Sequence, residues 1–259
     1  MEGPSNPLKA ALAEGQAQIG IWLALSSPAS ADIAAQSGFD WALIDAEHGA
    51  NDLAAILGQL RAMGGGGVSA VVRVPENDET WLKRVLDLGV QSVLVPMVNT
   101  GVEAAAAVAA TRYPPKGRRG VGGSLTRASG YGANGNYTSE ADAALCVIVQ
   151  AETAEALRNI DAIAGTEGVD CVFIGPADLA ADMGHPGNPD APEVAHAIER
   201  AIGRIRAAGK AVGLVTFDKS AIGRLAAQGV TFLGVGGDAI LLSRAMRELA
   251  LDARDATGG

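Results

Sequence analysis

Eight short apolar runs recur along this chain, each followed by a stretch of helical periodicity, and this alternation constrains the fold more than any other feature. The runs cover residues 18–25, 40–45, 68–74, 91–97, 144–151, 169–174, 211–216 and 231–235. Most are continuously apolar, the pattern of strands buried on both faces of a parallel sheet. The helical stretches cover 30–37, 51–63, 77–88, 102–111, 153–164, 192–208, 219–228 and 239–253. Asn51, Asn77 and Thr153 are placed to cap helix starts, and Gly38, Gly89, Gly165, Gly209 and Gly229 fall near helix ends. Eight such units predict an α/β fold, a single-domain (β/α)₈ or TIM barrel over residues 18–254, with an N-terminal segment 1–17 and a tail 255–259. A doubly wound open sheet is the competitor, but it calls for a glycine-rich turn after its first strand. Here that turn reads Ser26-Ser27-Pro28-Ala29-Ser30.

One connection, 113–143, is long and rich in Gly, Arg, Ser and Asn, which marks it as functional or disordered. The chain carries 20 Lys+Arg against 29 Asp+Glu, a formal charge of −9, which argues against nucleic acid or an anionic membrane as partner. A small anion needs only a local cation and stays allowed. Cys146 and Cys171 sit in apolar runs and read as buried thiols, and no zinc spacing is present. Without a signal-like apolar segment or an uninterrupted membrane-length run, the expected setting is cytoplasmic.

In a barrel the C-terminal strand ends form the face that carries chemistry. Polar residues gather at those ends. Trp22 lies in the first run, which closes on Ser26 and Ser27. The second ends in Asp45, followed by Glu47 and His48. The third carries Arg73, the fifth Gln150 and Glu152, and the sixth leads into Gly175-Pro176-Ala177-Asp178. The last two end near Thr216 and Asp218, and near Gly236, Gly237 and Asp238. Asp45, three residues before His48, is placed to fix its tautomer and leave the other ring nitrogen for proton transfer. His185 and His196 read as structural. Glu152 and Asp178 either cap the helices that follow or hold a hard divalent cation. Arg73, in an apolar strand, either pairs with a strand-end acid or recognises a carboxylate or enolate oxygen. The Gly-Pro-Ala turn is also suited to aim backbone N–H groups at an anion.

The segments GIWLALSS, FDWALIDAEH, VVRVPEND, VLVPMV, ATRYPPKGRRGVGG, VIVQAET and VFIGPADLAADMG, in this order, resemble the HpcH/HpaI aldolases, the metal-dependent class II pyruvate aldolases. The likeness runs from about residue 20 to 250. It implies a (β/α)₈ barrel assembled as a homo-hexamer, a trimer of dimers in which paired subunits exchange the last helix. It implies Glu152 and Asp178 as ligands of Mg²⁺, Mn²⁺ or Co²⁺, His48 as the catalytic histidine, and Asp45 as the acid that orients it. It implies Arg73 on the bound keto acid, the amides of Ala177 and Asp178 on its carboxylate, and Gln150 and Trp22 as pocket residues. Asp87 resembles a residue that reaches a neighbouring subunit's site. The chain reads EHGAN where a proline is common and VQAET where VQIET is common. These departures, the loop 129–137 and the end Val215-Thr216-Phe217 bear on aldehyde preference, with Phe217 a candidate substrate contact.

The expected reaction is a reversible aldol addition of a 2-oxo acid, pyruvate or hydroxypyruvate, to an aldehyde, with a cation as Lewis acid and Arg73 adding positive charge. The proton shuttle is Asp45–His48, and the base is His48 or a metal-bound water. No lysine ends a core strand, which disfavours Schiff-base chemistry. A second reading is a citrate-lyase-like enzyme acting on a CoA thioester, with Arg118, Arg119 and Arg127 forming a groove for the CoA phosphates. A third uses Gly234–Gly237 as a phosphate cradle, against the plainer reading of a tight turn. A fourth, a barrel that only binds a keto acid, predicts a missing ligand or base, and none is missing.

Overall fold

A computed structural model describes residues 4–257. Eight parallel strands close into a barrel in chain order: β1 (Gln18–Leu23), β2 (Trp41–Asp45), β3 (Ser69–Arg73), β4 (Ser92–Val95), β5 (Cys146–Ala151), β6 (Cys171–Ile174), β7 (Ala211–Val215) and β8 (Phe232–Gly237). Around them lie α2 (Pro28–Gln36), α3 (Leu53–Met63), α4 (Glu79–Asp87), α5 (Gly101–Thr111), α6 (Tyr137–Ala144), α7 (Ala154–Arg158), α8 (Ile160–Ala164), α9 (Pro176–Asp182), α10 (Pro192–Ala207), α11 (Ile222–Ala227) and α12 (Asp238–Thr257). A further helix, α1 (Pro7–Ala13), precedes the barrel. All eight expected strands and all eight expected helical regions form. The competing open sheet is excluded by the β1–β8 pairing.

Several local expectations need correcting. Asp52 and Asp78, not Asn51 and Asn77, cap α3 and α4 through their side chains, whereas Thr153 caps α7 as expected. Residues 153–164 form two short helices that meet at Asn159, whose amide donates to the Asn99 carbonyl. The connection 113–143 contains two 3₁₀ turns and most of α6. The tail expected from 255 is helical through Thr257, while 258–259 lie outside the described residues.

The barrel interior holds an unusual share of the chain's few aromatic rings. Trp41 stacks on Phe232 at 4.0 Å between centroids, and Trp22 meets Trp41 edge-on at 5.5 Å and Phe173 at 5.6 Å. Glycines make this possible. A Cβ on Gly20 would enter the Trp41 ring, one on Gly213 would press on Phe173 and Phe232, and one on Gly234 would enter the Trp22 ring. Close packing of this kind leaves no slack for an added methyl.

At the N-terminal end of the barrel, α1 forms a floor. Leu8 and Leu12 are buried against Trp41, Leu43, Val71, Leu94 and Cys146. Each such leucine contributes about 1.5–3 kcal/mol by leaving water. Asn6 caps α1 and donates from Nδ2 to the carbonyls of Gln91 and Ala144 and to Ser92 Oγ. Both cysteine thiols lie in this region, and burial pushes them well above their ordinary pKa, so they are inert.

The last helix behaves differently from the rest. Only Asp238 of α12 is buried, and every residue from Arg244 to Thr257 is exposed. Leu241, Leu242, Met246, Leu249 and Leu251 therefore face solvent in this chain. Among the described residues no helix is long and apolar enough to cross a membrane.

Candidate active site

Asp45 and Arg73 are the last residues of adjacent strands and stand opposite each other in the β2–β3 register. This adjacency settles the pairing of the buried guanidinium. Arg73 donates from Nε to Asp45 Oδ1 at 2.8 Å and from Nη2 to Asp45 Oδ2 at 2.6 Å, a two-pronged ion pair. Its third nitrogen, Nη1, lies 2.8 Å from Glu47 Oε2. Burial works to strip the proton from Arg73. The Asp45 hydrogen bonds and the charges of Asp45, Glu47 and Glu152 outweigh it and raise the pKa above its ordinary value.

The expected contact between Asp45 and the His48 ring is not formed. Asp45 Oδ1 instead accepts the backbone N–H groups of Glu47, at 3.1 Å, and His48, at 3.3 Å, so it shapes the turn that carries His48. The side chain nearest in charge to the imidazole is Glu47, with Oε2 3.9 Å from His48 Nε2. Burial pushes the Glu47 carboxyl up, opposed by Arg73 and His48. Glu47 thus links the guanidinium to the imidazole, a role its place in the sequence did not disclose. Beneath the turn, Asn51 donates to the carbonyls of Leu23 and Asp45, and Gln59 donates to Asn51 Oδ1. That bridge between the ends of β1 and β2 is why Asn51 is buried and does not cap a helix.

Across the mouth, Glu152 follows β5 and is almost wholly buried. Oε1 accepts the Met97 N–H at 2.8 Å, and Oε2 accepts from Gln150 Nε2. Burial pushes this carboxyl up to about 7, the two hydrogen bonds pull it down, and the charges of Asp178 and Glu47 add to the rise. Met97 has a φ of 53°, the left-handed conformation that a side chain makes costly, by about 1–2 kcal/mol. The strain aims its N–H at Glu152. No sequence signal marks Met97 for this task. Gly175 is required here as well, since a Cβ would collide with Glu152 and Gln150. Asp178 is the third residue of α9 and is exposed, and Ala177 and Asp178 lie in the first turn, where N–H groups lack helical partners.

Trp22, His48, Arg73, Gln150, Ala177, Asp178 and Phe217 all line one cavity of about 810 Å³, with Asp45 and Glu152 behind it. Asp87 does not belong to it. It ends α4, where Arg119 Nη2 donates to Asp87 Oδ1 at 2.8 Å, and Arg119 is buried against the rings of Tyr113 and Tyr137. The other loop arginines also have structural partners: Arg127 donates to the Leu88 carbonyl and Arg118 pairs with Glu79. None of the three lines the cavity, which removes the basic groove expected for CoA. The segment read as a phosphate cradle has structural uses. Gly234 makes room for Trp22, and the N–H groups of Ala24, Leu25 and Ala239 already donate to the Asp238 carboxylate.

The family model described as HpcH/HpaI aldolase/citrate lyase matches residues 18–245. The chain belongs to this family. It is 53% identical over 251 residues to a 4-hydroxy-2-oxovalerate aldolase of Rhodococcus jostii, covering 96% of each protein. It is 50% identical over 250 residues to a hydroxypyruvate/pyruvate aldolase of Pseudomonas aeruginosa, covering 96% of this chain and 93% of that one. Among solved structures, a family protein from Burkholderia cenocepacia superposes with a TM-score of 0.93 at 38% identity, covering 96% of this chain and all of that one. The chain is an aldolase-type carbon–carbon lyase.

Proposed function

We propose that this chain catalyses reversible aldol addition between a 2-oxo acid, pyruvate or hydroxypyruvate, and an aldehyde, as a divalent-metal-dependent class II aldolase. The observation that carries the reading is the convergence of two charge systems on one cavity. One is the buried Asp45–Arg73–Glu47 set, with His48 at its exposed end. The other is the acid pair of Asp178 on the cavity wall and Glu152 buried behind it.

The acid pair fits a hard cation. Asp178 lines the cavity and Glu152 lies behind it, and Asp178 and Glu47 both raise the Glu152 carboxyl, the repulsion a cation would relieve. Among the described residues no cluster of three or more His, Cys, Asp or Glu is placed to hold a metal. Two protein ligands leave the remaining positions to water and substrate. Mg²⁺, Mn²⁺ or Co²⁺ held by Glu152 and Asp178 would polarise the keto acid's carbonyl.

The protein's own groups supply the rest. Arg73, fixed by Asp45 and Glu47, presents positive charge toward the keto oxygen as it gains electron density. The first-turn amides of Ala177 and Asp178 hold the substrate carboxylate. His48, exposed and beside Glu47, moves the proton between C3 of the donor and solvent. Gln150 and Trp22 form the floor, and Phe217 stands on the acceptor side. Deuterium exchange at C3 of pyruvate in D₂O tests this without an aldehyde. Exchange is expected with added Mn²⁺, Mg²⁺ or Co²⁺ and not with EDTA; no exchange with any of them overturns the reading.

The same reading makes the enzyme a cytoplasmic homo-hexamer in which paired subunits exchange α12. Its support is the apolar row Leu242, Met246 and Leu249 on a helix that its own barrel leaves uncovered. Asp87 would then reach a neighbouring subunit's site. Sedimentation velocity distinguishes a hexamer from a monomer directly.

A further inference from the structure

The cavity does not stop at the barrel mouth. From His48, Arg73 and Asp178 it continues past Phe217 into a cleft between α10 and α11, reaching Leu214, Leu225 and Gln228. A three-carbon acid and a small aldehyde fill a minor part of about 810 Å³, a volume typical of pockets for much larger ligands, roughly 300–1,000 Å³. The cleft has a structural origin. Helix α10 is 16 residues long, whereas α11 has 6 and is preceded by a single 3₁₀ turn over Lys219–Ala221. The short element leaves part of the outer face of β7 open, and Leu214 becomes a wall of the cavity.

The chemistry of the walls selects the occupant. Ile198 of α10, Leu214 of β7, and Ala221 and Leu225 around α11 are apolar, and polar groups such as Glu199 and Arg224 come from the exposed helix surfaces. Against Ile198, Leu214, Ala221 and Leu225 a charged chain would lose its water, and its partners would be the exposed side chains on the helix surfaces such as Arg224, whereas an alkyl or aryl chain loses nothing. One end of the cleft opens beside Phe217 on the reacting centre, so a chain lying in it would present its head group there.

We propose that the α10–α11 cleft binds the apolar chain of the acceptor, so that the enzyme prefers aldehydes with extended alkyl or aryl groups over short or charged ones. The proposal rests on the aldolase reading above. It does not depend on the exposed row Leu242, Met246 and Leu249 of α12, none of which lines the cavity.

The test uses the full chain with added Mn²⁺, a fixed pyruvate concentration, and propanal, pentanal and octanal as acceptors. The kcat/KM is expected to rise with chain length, by up to about fourfold for each methylene that enters the cleft. In Ile198→Trp, which fills the cleft away from the mouth, the octanal-to-propanal ratio of kcat/KM should fall toward one. Both values come from the same preparation, so the ratio is independent of the fraction folded. On the wild-type protein, 1-octanol should compete with propanal. If propanal reacts but kcat/KM is flat or falling with chain length, the cleft proposal is overturned and the aldolase reading stands. If neither propanal addition nor C3 exchange of pyruvate occurs, the aldolase reading itself fails. An Ile198→Trp variant that changes the sedimentation coefficient and leaves the ratio unaltered would assign the cleft to contact between copies and overturn the proposal.

Discussion

The two ends of this barrel are built from the same eight strands and answer opposite demands. At the floor, α1 buries Leu8 and Leu12 on an aromatic and aliphatic interior, and Asn6 meets the polar groups of Gln91, Ser92 and Ala144. At the mouth, Asp45, Arg73 and Glu152 are as deeply buried as core leucines, although all three are ionisable. The floor follows the ordinary rule that apolar groups go inside and backbone groups find partners. The mouth violates it and is held together by paired charges, a strained residue at Met97 and an obligatory glycine at Gly175. Departures from packing rules therefore locate the chemistry, and the intact end supplies stability without it.

Substitutions at four positions break or sharpen this contrast. The largest effect is expected for Arg73→Ala, which leaves the buried Asp45 unpaired. Stability should fall by about 3–5 kcal/mol in urea unfolding, and aldol turnover by a further 10²–10³-fold, roughly, among folded molecules. His48→Ala separates the two roles. The side chain is 65% exposed, so unfolding free energy should change by less than about 0.5 kcal/mol. C3 exchange should drop about 10²–10⁴-fold; full turnover in this variant would refute the proton-transfer assignment. Leu12→Ala is the mirror image, expected to cost about 2–5 kcal/mol of stability while kcat/KM per folded molecule stays at the wild-type value. A change in KM there would show that floor and mouth are coupled. The smallest effect is expected at Met97. Valine, which tolerates the left-handed conformation poorly, should weaken Mn²⁺ binding in calorimetry by roughly three- to tenfold. Glycine, which adopts it freely, should keep the wild-type affinity.

The sequence made the barrel legible because periodicity and β-strand count are local properties. Each apolar run carries its own signal, and eight of them in alternation admit few closed solutions. The polar strand ends were legible for the same reason, since charge inside an apolar run stands out. What stayed hidden depends on which strand lies beside which. The Asp45–His48 spacing suggested a dyad, but β2–β3 register places Arg73 opposite Asp45 and takes the carboxylate first. Glu47 was visible as a residue and invisible as a bridge. Met97 gave no sign at all, because a left-handed backbone leaves no trace when the residue is not glycine. The arginines at 118, 119 and 127 looked like a ligand groove because composition reports charge and not partners. Helices α1, α6 and α9 were missed as elements: each is short and interpreted more easily as loop than as a turn or two of helix.

The floor has a consequence for how the chain is made. Helix α1 leaves the ribosome before any strand of the barrel, yet the groups Asn6 binds lie 85 to 138 residues further along. Until β4 and β5 have been synthesised, Leu8 and Leu12 have only the β2 and β3 part of their surface to cover and Asn6 has none of its partners, and a short helix in isolation is not stable. A helix translated ahead of the barrel is thus among the last to dock, and closing the bottom of the barrel becomes a long-range event that waits on the middle of the chain.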